Sequence, residues 1–380
     1  MKTTTLILAS ALLSALPLAA KTTDQPPVDP PQDKVQIALL LDTSNSMDGL
    51  IDQAKTQLWK IVNTFIDARK NGAAPFVEVA LYEYGNNNQH VGNHYIRQVQ
   101  PLSRDLDELS ARLFALTTNG GDEYCGAVIQ RALADLSWDA KPGTYKAIFI
   151  AGNEPFTQGP VDPRQACRDG RSKGIVINTI HCGDRDAGIS GSWHDGAALS
   201  GGKFLTINQD KAVRHIDAPQ DKEITDLGIQ LNKTYLGYGT QREKAMESQN
   251  SADHAAALNA QSGAHVQRSI SKASTNYHNA NWDLVDAVND HQIDLETIEK
   301  SQLPPELQAL TAEQLKQRVE QAAKTRAQLQ TRIQQLNKAR QAHIAREQAK
   351  QADSNDQTLD QAIVNATREQ ATALGYTFGN

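Results

Sequence analysis

Asp42, Ser44 and Ser46 lie in one short loop, DTSNS, and bring together one carboxylate and two hydroxyls. The loop follows a continuous apolar run at 35–42, which is typical of a strand buried on both faces of a parallel sheet. Apolar residues at helical spacing follow over 49–70. Ligands of open parallel sheets bind beyond the carboxyl ends of the strands. These three side chains are therefore candidate ligands of a hard divalent cation such as Mg²⁺, which prefers oxygen.

Strand-like segments alternate with amphipathic helical segments from residue 35 to about 236. The predicted strands cover 35–42, 75–85, 94–102, 145–152, 175–183 and the end of 195–207. The predicted helices cover 49–70, 106–116, 126–138, 162–174, the start of 195–207 and 221–236. Such alternation predicts βαβ units. We therefore expect an α/β domain of Rossmann-like topology, with a mostly parallel sheet and helices on both of its faces.

Over roughly 35–236 the chain resembles the von Willebrand factor type A family. The resemblance is carried by LLLDTSNSM, by the Gly-Gly turn and helix start at 120–129, and by the segments IFIAGNEP and LSGGKFLTI. It implies a metal-ion-dependent adhesion site, in which D-x-S-x-S and two later residues hold Mg²⁺ or Mn²⁺ and a partner's acidic side chain completes the shell. The chain also looks like a group of exported bacterial proteins with this domain, through NGGDEYCG, IFIAGNEPFTQG and NTIHCG. That second likeness implies no particular activity.

The two later metal-site positions depart from the family's pattern. Asp122 and Glu123 stand where the family commonly has a threonine after the Gly-Gly turn. Gly152 stands where the family has the aspartate of T-D-G, and Glu154 follows it closely. Extra carboxylates raise the affinity for a cation but weaken the cation's remaining pull on a partner's carboxylate. A bound Mg²⁺, or alternatively Mn²⁺ or Ca²⁺, is therefore expected to be structural or weakly adhesive. The candidate ligands are Asp42, Ser44, Ser46, Asp122, Glu123 and Glu154.

Simpler interpretations of these residues stay open. Asp42 and Ser44 belong to the residue types that cap a helix and satisfy its free N–H groups. Glu123 also suits the first turn of a helix, where the helix dipole favours an acid. Glu154 and Pro155 also suit a surface turn.

A hydrolase is the enzymatic alternative. His181-Cys182-Gly183 ends a predicted strand at the same edge of the sheet, and Trp193-His194-Asp195 lies in the next loop. A Cys/His pair suggests a nucleophile, but no orienting acid is recognisable in the pattern. The segment GISGSW at 188–193 lacks the final glycine of the G-x-S-x-G turn. The sequence therefore favours a protein without catalytic activity.

Composition and the amino terminus predict an exported protein, periplasmic or secreted. Residues 1–20 have the layout of a signal peptide, and 21–34 form a proline-rich linker. No later stretch reaches the roughly 18 apolar residues of a membrane span. The chain has 38 basic and 44 acidic residues, hence a net charge of −6. Without a basic stripe, this charge argues against nucleic acid or an anionic membrane as partner.

The chain has three cysteines, Cys125, Cys167 and Cys182. An oxidising compartment would allow one disulfide and leave one thiol over. The sequence does not indicate which two would pair.

Beyond residue 236 the composition becomes polar. Residues 237–278 are rich in Gln, Asn, Ser and Ala and poor in large apolar groups, which predicts a linker or a loosely held helix. Residues 279–380 are predicted to be helical. Thr311 and Gln314 fit a capping box at the start of a helix that runs from 312 to about 350, and a final helix covers roughly 357–373.

The long helix carries a thin apolar stripe at roughly 3.5-residue spacing. The stripe consists of Leu315, Val319, Ala322, Leu329, Ile333 and Leu336. Arg326, Arg340 and His343 interrupt it, which favours packing onto a neighbouring helix over a long independent coiled coil. A helix-mediated oligomer stays open.

These features predict an exported, non-enzymatic interaction or scaffolding module with a degenerate metal site. The module is expected to engage another protein through the carboxyl edge of its sheet. One alternative is a structural oligomer assembled by the helical tail. The other is a hydrolase that uses a metal at this edge, or Cys182 with His181.

Overall fold

The computed structural model describes residues 33–66, 68–210, 215–350 and 359–378. The predicted signal peptide and nearly all of the proline-rich linker lie outside these residues. Six strands form one sheet: β1 (Lys34–Asp42), β2 (Phe76–Tyr84), β3 (Arg97–Ser103), β4 (Tyr145–Gly152), β5 (Val176–Cys182) and β6 (Phe204–Ile207). The predicted α/β class is confirmed.

The sheet has the strand order β3-β2-β1-β4-β5-β6. Every neighbouring pair is parallel except β2 and β3, which are antiparallel and contain register shifts. The strand β1 lies between β2 and β4, which explains why its sequence is apolar on both faces. The chain passes from β1 to β2 on one side and later returns to β4 on the other, so the strand order reverses beside β1. The end of β1 therefore lies at the point where ligands of such sheets bind.

Seven helices belong to the predicted α/β region. They are α1 (Asp48–Asn63), α2 (Leu106–Phe114), α3 (Cys125–Asp135), α4 (Pro163–Ser172), α5 (Arg185–Ser190), α6 (Trp193–Ser200) and α7 (Asp221–Asn232). Side chains of α1, α2 and α7 pack on one face of the sheet, and those of α3, α4 and α6 pack on the other. Alternate residues of β1 supply the two cores: Ile37 and Leu39 join the first, Ala38 and Leu40 the second.

Six later helices follow. They are α8 (Arg242–Leu258), α9 (Ala264–Lys272), α10 (Leu284–Asn289), α11 (Pro305–Gln308), α12 (Ala312–Lys350) and α13 (Leu359–Ala373). Of these, α8, α9, α12 and α13 continue to cover the first face, whereas α10 and α11 pack with the start of α12 in a separate apolar cluster. Leu359, Ala362 and Ile363 of α13 belong to the same apolar core as α1. The Tyr376 hydroxyl donates to the Lys34 carbonyl oxygen at 2.7 Å. The cover of this face therefore extends beyond residue 236, the predicted end of the α/β domain.

The region 237–278 differs from the predicted linker or loosely held helix. It forms α8 and α9, and the side chain of Arg268 on α9 is buried. The Arg268 guanidinium lies 2.6 Å from the Asp107 carboxylate of α2 and 2.8 Å from the Asp253 carboxylate of α8. Lys272 also contacts Asp253, at 2.6 Å. These ion pairs lie beside apolar contacts, since Val266 and Ile270 of α9 are buried in the core shared with α1.

The arginines that interrupt the stripe of α12 face inward. Arg326 lies 2.6 Å from the buried carboxylate of Asp283, and Arg340 lies 2.7 Å from Asp221 at the start of α7. The capping box is present, because Thr311 and Gln314 exchange hydrogen bonds. The helix α12 thus packs onto neighbouring helices of its own chain. No helix of the described residues is long and apolar enough to cross a membrane.

Candidate metal centre

The DTSNS loop lies at the carboxyl end of the central strand. Asp42 ends β1 and its side chain is fully buried. The Ser44 backbone N–H donates to Asp42 Oδ1 at 2.8 Å, and the hydroxyls of Ser44 and Ser46 are 3.2 Å apart. Ser44 precedes a short 3₁₀ turn at Asn45–Met47, but its side chain makes no capping hydrogen bond there. Its hydroxyl is therefore available for another contact.

Glu123 brings a second buried carboxyl to Asp42. It precedes α3, and only 6% of its surface is exposed. Both carboxyl groups converge on Gly85, which follows β2 with φ of +77°. A Cβ atom on Gly85 would lie 2.9 Å from Asp42 Oδ1 and 2.7 Å from Glu123 Cγ. Glycine is therefore required both by the left-handed backbone and by the close approach of the two acids.

One oxygen of each acid is buried without a hydrogen-bond partner: Oδ2 of Asp42 and Oε2 of Glu123. Burial raises the pKa of Asp42 to about 7, against hydrogen bonds from Ser44 that lower it. Burial and then the charge of Asp42 raise the pKa of Glu123 to about 8. Among the described residues no basic side chain pairs with either acid. Two facing carboxyls in this situation share a proton or bind a cation.

Tyr84 occupies the space of the missing metal-site aspartate. A Cβ atom on Gly152 would lie 2.5 Å from the Tyr84 hydroxyl oxygen and 3.1 Å from Asp42 Oδ2. The Tyr84 hydroxyl donates to the Ala151 carbonyl oxygen at 2.9 Å and is buried beside Cys125. Gly152 is thus next to the site, as the resemblance implies, but Tyr84 leaves no room for a side chain.

Asn153 is a candidate ligand that the sequence analysis missed. Its amide Nδ2 donates to the Ser46 hydroxyl at 3.0 Å, whereas its Oδ1 is buried without a partner. An amide oxygen is a common ligand of hard cations. Its position directly after Gly152, where the family has the final glycine of T-D-G, was the signal that could have identified it.

The remaining two predicted ligands lie at the edge of the centre. Glu154 is exposed, and its charge acts on both buried acids and raises the pKa of each. Asp122 is also exposed, and its carboxylate accepts a hydrogen bond from the Tyr124 hydroxyl at 3.0 Å. Both residues add negative charge to the surroundings of the buried pair.

The side chains of this centre fit a divalent cation. Every candidate donor is an oxygen, supplied by the carboxyls of Asp42 and Glu123, the hydroxyls of Ser44 and Ser46, and the amide of Asn153. Three of these oxygens, Asp42 Oδ2, Glu123 Oε2 and Asn153 Oδ1, are buried without a hydrogen-bond partner. Oxygen donors suit hard ions such as Mg²⁺, Mn²⁺ and Ca²⁺.

A second group of possible ligands consists of His215, Asp217 and Asp221. Their ligand atoms lie within 4.8 Å of one another. However, Asp221 already accepts from Arg340 at 2.7 Å and from the His215 ring at the same distance. Its charge is thus already balanced by an arginine, which makes this group a weaker cation site than the buried acids.

The structure separates the proposed nucleophile pair. His181 and Cys182 are consecutive in β5, so their side chains point to opposite faces of the sheet. His181 packs on Trp193 with ring centroids 5.8 Å apart, whereas Cys182 joins the opposite core. Burial raises the pKa of the Cys182 thiol and lowers the pKa of His181. The geometry gives no support to a hydrolase that uses this pair.

The disulfide that an oxidising compartment would allow is not formed, since all three cysteines are described and are free thiols. Cys125 and Cys167 lie in the core on one side of the sheet, and Cys182 lies in the core on the other.

Several solved structures are similar to this chain at low identity. The structure of proximal thread matrix protein 1 from the mussel byssus with a zinc-occupied MIDAS motif is 16% identical, with a TM-score of 0.36, and the match covers 47% of this chain and 43% of that chain. Protein BatB from Bacteroides thetaiotaomicron is 15% identical, with a TM-score of 0.35 and coverage of 46% and 90%. The vWF domain of the pilus tip protein Mfa5 from Porphyromonas gingivalis is 13% identical, with a TM-score of 0.33 and coverage of 46% and 90%.

The chain therefore spans less than half the length of the mussel protein. No protein-family model matches the chain, and no curated protein matches its sequence.

Strand order and the loop at the end of β1 together define the class of this protein. It is an α/β domain with a six-stranded, mostly parallel sheet and a D-x-S-x-S loop at the carboxyl end of its central strand. It has three features of its own. Two buried acids meet at Gly85, and the Tyr84 hydroxyl fills the space beside Gly152. The helices that cover one face of the sheet continue past residue 236.

Proposed function

We propose that the protein is an exported interaction module, without catalytic activity, that binds a partner protein at the carboxyl edge of its sheet. A divalent cation, Mg²⁺ or alternatively Mn²⁺ or Ca²⁺, is held there by Asp42, Ser44, Ser46 and Glu123. The cation supplies positive charge that neutralises the buried acids. Export is supported by the signal-peptide pattern of residues 1–20.

The observation that carries this proposal is the pair of buried, unpartnered carboxylate oxygens of Asp42 and Glu123. An ionised carboxylate is costly to bury without a compensating charge. A helix cap would not need the second acid, because Asp42 already satisfies the Ser44 N–H with its other oxygen. A cation accounts for both orphaned oxygens and for the Asn153 amide oxygen beside them.

Calorimetric titration of Mg²⁺, Mn²⁺ and Ca²⁺ into the full chain tests the proposal. We expect micromolar to low-millimolar binding, with dissociation constants typical of regulatory and extracellular cation sites (roughly 10⁻⁶ to 10⁻³ M). Binding should be lost in an Asp42→Ala/Ser44→Ala double variant and in Glu123→Gln.

The matched control is Asp186→Asn, which removes an exposed acid from α5 at the same edge of the sheet. Its titration should equal that of the unsubstituted protein. If the unsubstituted protein binds none of the three ions, or if the double variant binds them equally well, the metal centre is refuted. Thermal melts of each variant show whether a lost signal reflects unfolding.

A further inference from the structure

We propose that the partner docks through an arginine-bearing segment, in contrast to the acidic ligand that the family resemblance implies. The acidic rim is defined as Asp42, Asp48, Asp122, Glu123 and Glu154, of which Asp42 and Glu123 are buried and the other three are exposed. The docking surface consists of the three exposed acids of this rim and of a neighbouring aromatic cluster, defined as His94, Tyr95 and Tyr124. This inference rests on the proposed function, for which it names the class of partner.

The charge of the acidic rim favours a cationic partner. None of its five carboxyl groups forms an ion pair with a basic side chain of the described residues. Arg97 and Arg164, which also lie near this edge, already pair with Glu83 and Asp195. When all five acids are ionised, a bound divalent cation changes the formal charge from −5 to −3. The rim therefore stays negative even when the metal is bound, and a partner's carboxylate would meet net repulsion.

A second observation, independent of the exposed acids, also points to a positive ligand. The oxygens Asp42 Oδ2 and Glu123 Oε2 lack partners although both side chains are more than nine-tenths buried. The two groups meet at Gly85, where the backbone has no side chain to cover them. When both buried acids are ionised and no cation is bound, they thus add to the negative potential of the exposed acids; when the cation is bound, the exposed acids alone supply it.

The aromatic cluster gives this surface a preference among cations. Tyr124 lies next to both other rings, with centroids 5.9 Å from His94 and 6.0 Å from Tyr95. All three side chains are partly exposed. His94 and Tyr95 both have φ of +56°, a left-handed backbone that is unusual for two consecutive bulky residues. Packing against Tyr124 holds them in this conformation at the surface.

Tyr124 connects the aromatic cluster to the acidic rim. Its hydroxyl donates to the Asp122 carboxylate at 3.0 Å. A guanidinium group that binds Asp122 therefore lies beside the hydroxyl end of the Tyr124 ring, and a cation–π contact requires it to approach the ring face within roughly 6 Å of the ring centroid. Arginine combines a two-pronged hydrogen bond to a carboxylate with stacking on a ring, whereas lysine offers a point charge. The surface should accordingly prefer arginine to lysine.

Fluorescence anisotropy with three labelled peptides tests this inference. The probes are (Gly-Arg)₄, (Gly-Lys)₄ and (Gly-Glu)₄, titrated with the full chain at low ionic strength, with and without Mg²⁺. We expect the arginine peptide to bind most tightly and the glutamate peptide not to bind. Asp122→Asn should weaken both cationic peptides. Tyr124→Leu should reduce the preference for arginine by roughly two- to five-fold, the size of an exposed cation–π contact.

Glu313→Gln is the matched control, because it removes an exposed acid from the first turn of α12. Tyr95→Leu provides a second variant of the aromatic cluster if Tyr124→Leu unfolds. If Glu313→Gln and Asp122→Asn reduced the affinity for the cationic peptides equally, the binding would reflect general charge attraction and the inference would be overturned. Equal affinity for arginine and lysine, or the absence of binding by every peptide, would overturn it as well.

A glutamate peptide that binds only with Mg²⁺ would also overturn the inference while supporting the proposed function. The two claims are therefore separable, because the calorimetric titration decides whether the metal centre exists, whichever peptide binds.

Discussion

At the scale of single residues, the relation between Asp42 and Glu123 sets the chemistry of the molecule. Burial raises the pKa of both acids, and the charge of Asp42 raises the pKa of Glu123 further, whereas a hydrogen bond with Glu123 lowers the pKa of Asp42. The metal-free protein retains protons at this pair that the unfolded chain would release. The acids therefore couple folding to protonation, and to cation binding if the proposed metal centre is occupied.

The first prediction concerns pH. Because the pKa of Glu123 is raised to about 8 and that of Asp42 to about 7, the folded state holds more protons than the unfolded state. The resulting contribution to the free energy of unfolding is fully present below the unfolded pKa of roughly 4 and is lost as the pH rises through 7 to 8. Melts in EDTA should show a melting temperature that falls by a few degrees between about pH 5 and pH 9.

The Glu123→Gln variant is the control for this pH effect, since it keeps the shape of the side chain and removes its charge. Its melting temperature should decline less over the same range. Saturating Mg²⁺ should also flatten the decline in the unsubstituted protein, because the cation displaces the proton. If the melting temperatures of both proteins fell equally with pH in EDTA, Glu123 would not be the source of the pH effect.

A second prediction tests why the site departs from the family's pattern. Gly152→Asp should destabilise the protein by about 1–3 kcal/mol, because its Cβ meets the Tyr84 hydroxyl. Adding Tyr84→Phe removes that oxygen and should recover part of the loss. Urea unfolding of the two single variants and the double variant measures the coupling. If the changes in unfolding free energy of the two single variants simply add up in the double variant, the Tyr84 hydroxyl does not exclude an aspartate at position 152.

At the scale of elements, the loop after β2 shows how closely the backbone encloses the acids. Gly85 and Gly239 both have φ of +77°, but only Gly85 has other atoms within 4 Å of a Cβ position. We predict that Gly239→Ala costs about 1–2 kcal/mol, the cost of the left-handed backbone alone. Gly85→Ala should cost more and should abolish metal binding. Equal unfolding free energies for the two variants would argue against close approach at Gly85.

The helix α9 supports a further prediction. Burial alone would raise the pKa of Asp253, but Arg268 and Lys272 outweigh it and lower this pKa to about 2. Arg268→Ala would leave Asp107 and Asp253 buried without their main partner. We expect the free energy of unfolding to fall by about 3–5 kcal/mol, as when one partner of a buried ion pair is removed in other proteins. Arg332→Ala, which breaks an exposed pair with Glu223, should cost at most about 1 kcal/mol.

The sequence predicts some elements better than others, for physical reasons. The strand at 35–42 was predicted to within one residue, because a strand buried on both faces leaves a continuous apolar run. The strand predicted from 94 begins at Arg97, since His94 and Tyr95 adopt a left-handed backbone. The burial of Arg268 was not predicted, because a charged residue is usually solvated and its partner Asp107 is remote in the chain.

The arrangement of the candidate metal centre could be predicted only in part, for the same reason. The Asp42 loop is a local motif, so its three oxygens could be identified from spacing. The placement of Glu123 beside Asp42, the space filled by Tyr84 and the role of Asn153 depend on how separate loops meet. These contacts become visible only in the folded chain.

At the scale of the whole molecule, α13 completes the core of the sheet. We predict that Ile363→Asp, at a fully buried position of α13, prevents stable folding of the α/β domain. Asn365→Asp adds the same charge at an exposed position of the same helix and should change the melting temperature little. Circular dichroism and melts of both variants test this. A native-like melt of Ile363→Asp would show that the domain folds without α13.

The hydrogen bond from Tyr376 to Lys34 joins residues 342 positions apart. A ribosome makes β1 early and α13 much later, so the part of this sheet face that α13 covers stays open until α13 has been made. The nascent chain cannot reach its final state before this helix emerges. For the exported protein that we propose, a chain translocated in an extended form would therefore complete this fold only after α13 had also crossed the membrane.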